Sequence, residues 1–234
     1  MQVAEWEETH RSLVARIAGL LGLATVVIAL MPGGLGGPLF ENISTPQILD
    51  WVKHNGASIT LEGFVGGVQA SAMALMIFAL VFITRGRGLL ATIAAASAAA
   101  FMAIDWVHSA VYFGLADAGQ RSGADSGVVA LFSLTKQMTF ADGFVFGLAV
   151  VAVSVVALQS RTLPAPLAWL GLVVGGFHLV SLPIQIVISG TAGGATGPIS
   201  VVLALLWILS TSAILLIRPV WGPRQATLNS APAH

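Results

Sequence analysis

The chain has 234 residues, no cysteine and a formal net charge of zero. Hydrophobic residues make up 56% of it and charged residues only 9%, whereas soluble domains have about 25% charged residues. Too few charges remain to cover a soluble globule, a neutral chain offers no basic surface to nucleic acid, and without cysteine there are neither disulfides nor thiolate metal sites. We therefore expect a single membrane domain whose main partner is the lipid bilayer.

Six apolar segments follow one another along the chain, each close to or above the roughly 20 residues that cross a bilayer. They are residues 13–31, 59–84, 89–116, 128–158, 165–188 and 199–217. The first is not a secretory signal, because the residues before it are acidic and no cleavage site follows it. We predict an all-α fold, a polytopic membrane helix bundle at residues 13–217, with an N-terminal tail at 1–12 and a C-terminal tail at 218–234.

The basic residues between the spans and at their ends alternate from one side of the bundle to the other. One side carries seven, Arg11, Arg16, Arg85, Arg87, Arg161, Arg218 and Arg224, and the other carries two, Lys53 and Arg121. Loops enriched in Lys and Arg are the cytoplasmic ones. The pattern therefore predicts six transmembrane helices with both termini in the cytoplasm, and a location in the inner (plasma) membrane.

Three outer loops are predicted, at residues 32–58, 117–127 and 190–197. The first is long enough to contain a short extra helix, with Thr45 as its N-cap, Pro46 in the first helical position and Asn55-Gly56 as its stop signal. The apolar side of this helix would rest on the outer mouth of the bundle or at the level of the lipid headgroups. An ordinary surface loop is the alternative.

Glycine pairs four residues apart occur in the fourth and fifth spans, at Gly143 and Gly147 and at Gly171 and Gly175. Small residues at this spacing let helix backbones approach each other closely in lipid. These glycines predict helix packing and no site.

Polar side chains recur at helical spacing inside four of the predicted spans. In chain order they are Glu62 and Gln69; Asp105, His108 and Tyr112; Thr135, Lys136, Thr139 and Asp142; and His178, Ser181 and Gln185. A charge at the centre of a membrane helix costs about 2.5–3.5 kcal/mol, so such groups need a reason, and the default reason is function. At about 1.5 Å per residue, all of them fall in the outer half of the bundle. We expect a cavity lined by the second to fifth spans and open to the outside.

Two carboxyl groups and one imidazole in this set are the predicted catalytic groups, Asp105, His108 and Asp142. The carboxyl groups are candidate acids and His108 is a relay or base, because a carboxyl group desolvated in a bundle can donate a proton near neutral pH. The predicted substrate-binding residues are Glu62, Gln69, Tyr112, Lys136, Thr139, His178 and Gln185.

Several of these residues have a simpler explanation. Glu62 and Lys136 fall near the membrane interface, where a long side chain reaches water. Gln69 and Gln185 are suited to hydrogen bonds between helices, and His178 is equally well explained as a packing residue. If Lys136 is buried it needs a carboxylate, and Glu62 lies at nearly the same depth. We therefore expect a Glu62–Lys136 ion pair at the outer mouth of the cavity.

Two short motifs resemble those of a bacterial family of six-span membrane proteins of unknown function. The opening string is Arg16-Ile17-Ala18-Gly19-Leu20-Leu21. A second string, before the fifth span, resembles the Arg-x-Leu-Pro hinge of that family and reads Arg161-Thr162-Leu163-Pro164. The resemblance implies the six-span layout and no activity, and the pair Asp105 and His108 is not part of the pattern.

The polar residues admit four functions. We favour an intramembrane acid–base enzyme of the cyclase, isomerase or hydrolase type that acts on a small lipophilic ligand, an isoprenoid or lipid, with no cofactor. The alternatives are a transporter or receptor for a small ligand such as a cation, an accessory membrane subunit, and a metal site. The metal site would combine Asp105 and His108 with Glu62, Asp142 and His178. The apolar inner half of the spans favours the enzyme, because a transporter needs a polar path through the bundle.

Overall fold

The computed structural model describes residues 2–31, 43–86, 88–187 and 191–218, and these residues form six α-helices and no strand. The helices are α1 (Gln2–Ala29), α2 (Thr45–Ile83), α3 (Leu89–Gly119), α4 (Asp125–Ser160), α5 (Ala165–Val187) and α6 (Thr191–Ile217). The all-α fold class is confirmed. Residues 2–12, predicted as part of a tail, continue the first helix towards its N-terminus.

Five of the helices are long and apolar enough to cross a membrane. The five candidate spans are His10–Ala29, Thr45–Ile83, Leu89–Gly119, Asp125–Ser160 and Ile199–Ile217. In α5 the described apolar stretch is shorter, at Ala165–Ser181. Several apolar helices of this length in one chain make it a multi-pass membrane protein.

Each helix packs against the next one along the chain from α1 to α6, and α1 also packs against α6, so the six helices form a closed ring. α2 reaches across the ring to α4. Large apolar side chains such as those of Leu20 and Trp169 are exposed on the outside of the ring. This exposure is what lipid requires, because an apolar side chain gains nothing by leaving hydrocarbon for a protein interior.

The buried apolar side chains form two separate cores. The larger one fills the end of the bundle where α2 finishes, and it includes Met76, Phe101, Phe146 and Trp207. The smaller one fills the opposite end, around Val52 and neighbouring side chains of α3 and α4. On α3 and α4, a stretch between the two cores carries the polar residues singled out in the sequence, and this stretch positions the site.

The predicted short helix and the second span follow each other directly and meet at a kink. α2 runs for 39 residues, and the non-helical backbone of Asn55, with φ −116° and ψ 18°, divides it into two helical parts. The short helix and its break at Asn55 are therefore confirmed, whereas residues 56–58, predicted as loop, already belong to the second part. The Asn55 side-chain amide donates to the carbonyl of Trp51 at 2.8 Å, which satisfies a carbonyl that the bend would otherwise leave exposed. Residues 32–42 lie outside the described part of the chain.

The N-cap of α2 lies one residue before the predicted one. Ser44, and not Thr45, precedes the first helical residue, and its backbone N–H and its hydroxyl both donate to the Gln47 side-chain oxygen at 2.8 Å. Val52, further along this segment, is fully buried against Gly119 at the end of α3. The segment is therefore an integral part of the outer core.

The other two outer loops are also shorter than predicted. Only residues 120–124 separate α3 from α4, and α6 begins at Thr191, inside the predicted loop 190–197. The glycine and threonine residues lower the hydropathy of residues 191–197, which is why a loop was predicted there. Relative to alanine, one such residue destabilises a helix by at most about 1 kcal/mol. Such a cost does not prevent α6 from starting there.

Candidate functional site

A carboxylate–imidazole pair joins α3 to α4 between the two cores. The Nδ1–H of His108 donates to Oδ2 of Asp142 over 3.0 Å. Asp105, one turn before His108 on α3, completes a group of three, in which one ligand atom of each residue lies within 4.8 Å of the others. The structure thus brings the three predicted catalytic side chains together on neighbouring helices. We refer to Asp105, His108 and Asp142 as the acidic cluster.

The acidic cluster contains three buried polar atoms that have no hydrogen-bond partner. They are Oδ2 of Asp105, Nε2 of His108 and Oδ1 of Asp142. The residues His108 and Asp142 are each only 6% exposed. An unsatisfied buried polar group costs about 1–3 kcal/mol, and more when it is charged. Three such atoms in one place make the acidic cluster the candidate functional site.

The acidic cluster has neighbours on α2 and on α3. A Cβ atom added to Gly66 of α2 would lie 3.7 Å from Oδ2 of Asp105, so this glycine leaves room beside the carboxyl group. The ring of Tyr112, one turn further along α3, packs on the His108 ring with centroids 5.0 Å apart and fixes its plane. The helical spacing of Asp105, His108 and Tyr112 places all three on one face of α3.

A cavity of about 170 Å³ lies within one helical turn of the acidic cluster along α3 and α4, although none of the three cluster residues lines it. Three of the predicted substrate-binding residues, Gln69, Thr139 and His178, line it together with apolar side chains such as Phe101 and Phe146. Thr139 and Phe146 flank Asp142 by about one turn on α4, and Phe101 precedes Asp105 by one turn on α3. The cavity and the acidic cluster therefore share the same depth and the same two helices.

The cavity differs from the predicted one in its walls. The prediction limited the lining to the second to fifth spans, but α6 contributes Ser200, Ala204 and neighbouring residues. α6 closes the ring of helices against α1 and α5, which a linear reading of the sequence does not reveal.

His178 is a wall residue of the cavity and is not part of the acidic cluster. Its Nδ1–H donates to the carbonyl of Val174 on its own helix at 2.9 Å, and Phe146 meets its ring edge-on at a centroid distance of 5.1 Å. Of the five residues considered as metal ligands, the structure gathers Asp105, His108 and Asp142 and sets His178 and Glu62 apart from them.

The predicted ion pair between Glu62 and Lys136 is wrong. No ion pair among the described residues includes Lys136. Lys136 shares a helical stripe with Gly143, which packs on His178 of α5, whereas Gly63, next to Glu62, packs on Tyr112 of α3. The two residues agree in depth but face different neighbours. The side chain of Gln185 lies outside the described part of the chain.

A second set of unpartnered polar atoms occurs in the half of the bundle predicted to be apolar. Oγ of Ser154, Nε1 of Trp207 and Oγ1 of Thr211 are buried and lack a hydrogen-bond partner. Both Ser154 and Trp207 press against the position that a side chain at Gly171 would fill. The only signal in the sequence is the four-residue spacing of Trp207 and Thr211 on α6, which is equally typical of packing.

The geometry of the acidic cluster permits two kinds of chemistry. The His108 imidazole, oriented by Asp142, can accept and return a proton, or the two carboxyl groups and the imidazole can hold a cation. Comparison with known proteins leaves both open, because no family model, no curated protein and no solved structure matches this chain. The resemblance to a six-span family stays a prediction.

Proposed function

We propose that this protein is an integral membrane enzyme that carries out acid–base chemistry on a lipophilic substrate, an isoprenoid or lipid. The observation that carries the proposal is the buried His108–Asp142 pair, 3.0 Å apart, with the second ring nitrogen of His108 unpartnered. A carboxylate on one ring nitrogen fixes the tautomer and leaves the lone pair of the other free to take a proton.

Each residue of the acidic cluster has a distinct role in this proposal. Asp142 orients the imidazole, and Nε2 of His108 removes a proton from the substrate. The proton is held on the imidazole and returned to the substrate or to water, so the step involves no oxidation or reduction. Asp105 is the second carboxyl group and supplies or receives a proton at the other side of the reacting group.

The size of the cavity supports a small lipophilic group. A cavity of about 150 Å³ holds a molecule the size of benzene, so the 170 Å³ within one turn of the acidic cluster has room for one short branched apolar group. Gln69, Thr139 and His178 offer hydrogen bonds to a polar end of the substrate. The rest of a longer chain would extend into the bilayer between helices.

Exchange of substrate hydrogen with solvent tests the acid–base proposal. Purified protein in nanodiscs made from a total bacterial lipid extract, kept in deuterium oxide, should introduce carbon-bound deuterium into at least one lipid, detected by mass spectrometry. Asp105→Asn and His108→Gln should lower this incorporation by about 100-fold or more, because they remove the proton donor and acceptor. Asp50→Asn, which changes an exposed carboxyl group on α2, is the matched control and should leave it unchanged.

Two results would contradict the enzyme. Incorporation that persists in both cluster variants would remove the cluster from the chemistry. Absence of incorporation by the wild-type protein, together with protection against thermal unfolding by a small organic cation, would favour the receptor or transporter instead.

The topology is also a proposal, with six membrane crossings, both termini in the cytoplasm and location in the inner membrane. α5 has 23 residues, and a helix of that length spans about 34 Å, enough to cross the hydrocarbon core. The alternation of seven basic residues against two supports the orientation.

Labelling in intact cells checks the topology. Tags at both termini should be inaccessible from outside, and Lys53 near the start of α2 should react with an amine reagent that does not cross the membrane. The control variant Lys53→Arg keeps the positive charge but removes the amine, so labelling at this position should be lost. A C-terminal tag that is accessible from outside would mean that the chain crosses the membrane an odd number of times.

A further inference from the structure

We propose that Asp105, His108 and Asp142 bind one divalent transition-metal ion inside the membrane bundle. This inference deepens the proposed function, because it names a ligand of the acidic cluster. Only the role of the ion in catalysis rests on the proposed function. The binding itself stands on the geometry of the three side chains.

The distances suit a metal ion. Bonds from zinc to histidine nitrogen and carboxylate oxygen are about 2.0–2.2 Å long, so the ligand atoms of a tetrahedral site lie about 3.3 Å apart. Nδ1 of His108 and Oδ2 of Asp142 are 3.0 Å apart, and one ligand atom of each of the three residues lies within 4.8 Å of the others. Small side-chain rotations convert this spacing into a coordination shell.

The unpartnered atoms are an independent observation. With Nδ1–H of His108 donating to Asp142, the three buried atoms without a partner are two carboxyl oxygens and an imidazole lone pair. All three atoms carry a lone pair, and no neighbouring group accepts it. His108 and Asp142 are more than nine-tenths buried, so bulk water does not supply the missing partner. A cation bound through one ligand atom of each residue would supply the missing acceptor, and binding through Nδ1 displaces the proton that this nitrogen otherwise donates to Asp142.

Charge balance points the same way. The acidic cluster brings two carboxyl groups together in a low-dielectric interior, and the lysine nearest in sequence on α4, Lys136, forms no ion pair within the described residues. A buried charge is retained only when it is paired or coordinates a metal. A divalent ion neutralises both carboxylates, which no protein side chain in this cluster does.

The donor set selects the class of ion. Carboxylate oxygens alone suit magnesium or calcium, whereas an imidazole ligand favours zinc, iron, cobalt and related ions, and there is no thiolate to select copper(I). Three protein ligands leave at least one coordination position for water, as in catalytic zinc sites. A metal-bound water is a stronger acid than free water, so it would replace the His108 imidazole as the acid–base group, and His108 would act as a ligand.

Metal titration tests the site without any substrate. Protein purified in nanodiscs and stripped with a chelator should bind one equivalent of Zn²⁺, with a rise in the midpoint of thermal unfolding. One equivalent of Co²⁺ should give a visible absorption band characteristic of low coordination number with nitrogen and oxygen ligands. Asp105→Asn, His108→Gln and Asp142→Asn should each weaken Zn²⁺ binding by at least about 100-fold, since each removes a ligand.

The chain offers a matched control for these variants. Asp50 and His54 form an exposed carboxylate–imidazole pair on α2 with ligand atoms 3.2 Å apart. Asp50→Asn combined with His54→Gln should leave Zn²⁺ affinity and stoichiometry unchanged. Each variant is compared only as a monodisperse gel-filtration peak, and Asp105→Glu, which keeps the carboxylate ligand on the less buried member of the cluster, should retain binding.

The outcomes separate the metal from the enzyme. No saturable binding of one equivalent of Zn²⁺ or Co²⁺, or binding that survives all three cluster variants, would overturn the metal site. Metal-free protein that still exchanges substrate hydrogen would overturn the use of the ion in the reaction and would leave His108 as the base of the proposed enzyme. Binding that depends on the cluster, with no exchange in the metal-loaded protein, would support the metal site and count against the enzyme.

Discussion

Replacement of Gly175 by alanine should lower the free energy of unfolding by about 3 kcal/mol, the upper end of the cost of overpacking a core. A Cβ atom at this position would lie 2.7 Å from the carbonyl oxygen of Gly147 and 2.9 Å from the backbone nitrogen of Val151. These are backbone atoms of α4, so no side-chain rotation relieves the clash, and the two helices have to separate. The midpoint of thermal unfolding in detergent, followed by circular dichroism, measures the effect.

The next residue on the same helix provides the control. A Cβ atom at Gly176 meets no atom within 4 Å, so Gly176→Ala should be neutral or slightly stabilising, because alanine favours a helix over glycine by about 1 kcal/mol. Equal losses of stability in the two variants would show that α4 and α5 do not meet at Gly147 and Gly175.

Replacement of His108 by leucine should cost about 3 kcal/mol of stability in metal-free protein, because the Asp142 carboxyl group is then left buried without its partner. The double variant His108→Leu, Asp142→Leu should recover most of this loss, since an apolar pair of similar volume leaves nothing unpaired. A double-mutant cycle on thermal unfolding gives the coupling between the two residues.

His178 supplies the reference pair for this cycle. Its ring bonds to Val174 on its own helix and not to Asp142, so His178→Leu and Asp142→Leu should combine additively to within about 0.5 kcal/mol. If His108 and Asp142 are equally additive, the hydrogen bond between them contributes nothing to stability.

The positions of the helices follow from hydropathy, but their ends do not. In α2 the predicted stop at Asn55 is present as a kink, but the helix resumes directly after it, before the predicted start of the second span at residue 59. Ile48 and Val52, on the part before the kink, are buried in the outer core. α6 likewise begins before its apolar stretch. A single-sequence reading weighs local signals and has no access to this tertiary packing.

The acidic cluster was predictable, and its surroundings were only partly so. Spacing on one helix fixes which residues share a face, so Asp105 and His108 could be paired, and equal depth brought in Asp142. Depth says nothing about the direction in which a face points. Lys136 was assigned to Glu62 on depth alone and in fact lies on the stripe of α4 that packs towards α5. The lining of the cavity by α6 depends on ring closure and leaves no trace in the sequence.

The aromatic rings next to the acidic cluster have a consequence for the path that a proton can take. Phe101 and Phe146 meet at a centroid distance of 5.5 Å, and Phe146 meets His178 at 5.1 Å. Apolar rings in contact oppose a continuous chain of water molecules, and protons move through proteins along such chains. We therefore expect a proton taken up at the acidic cluster to return to the side of the bundle from which it came.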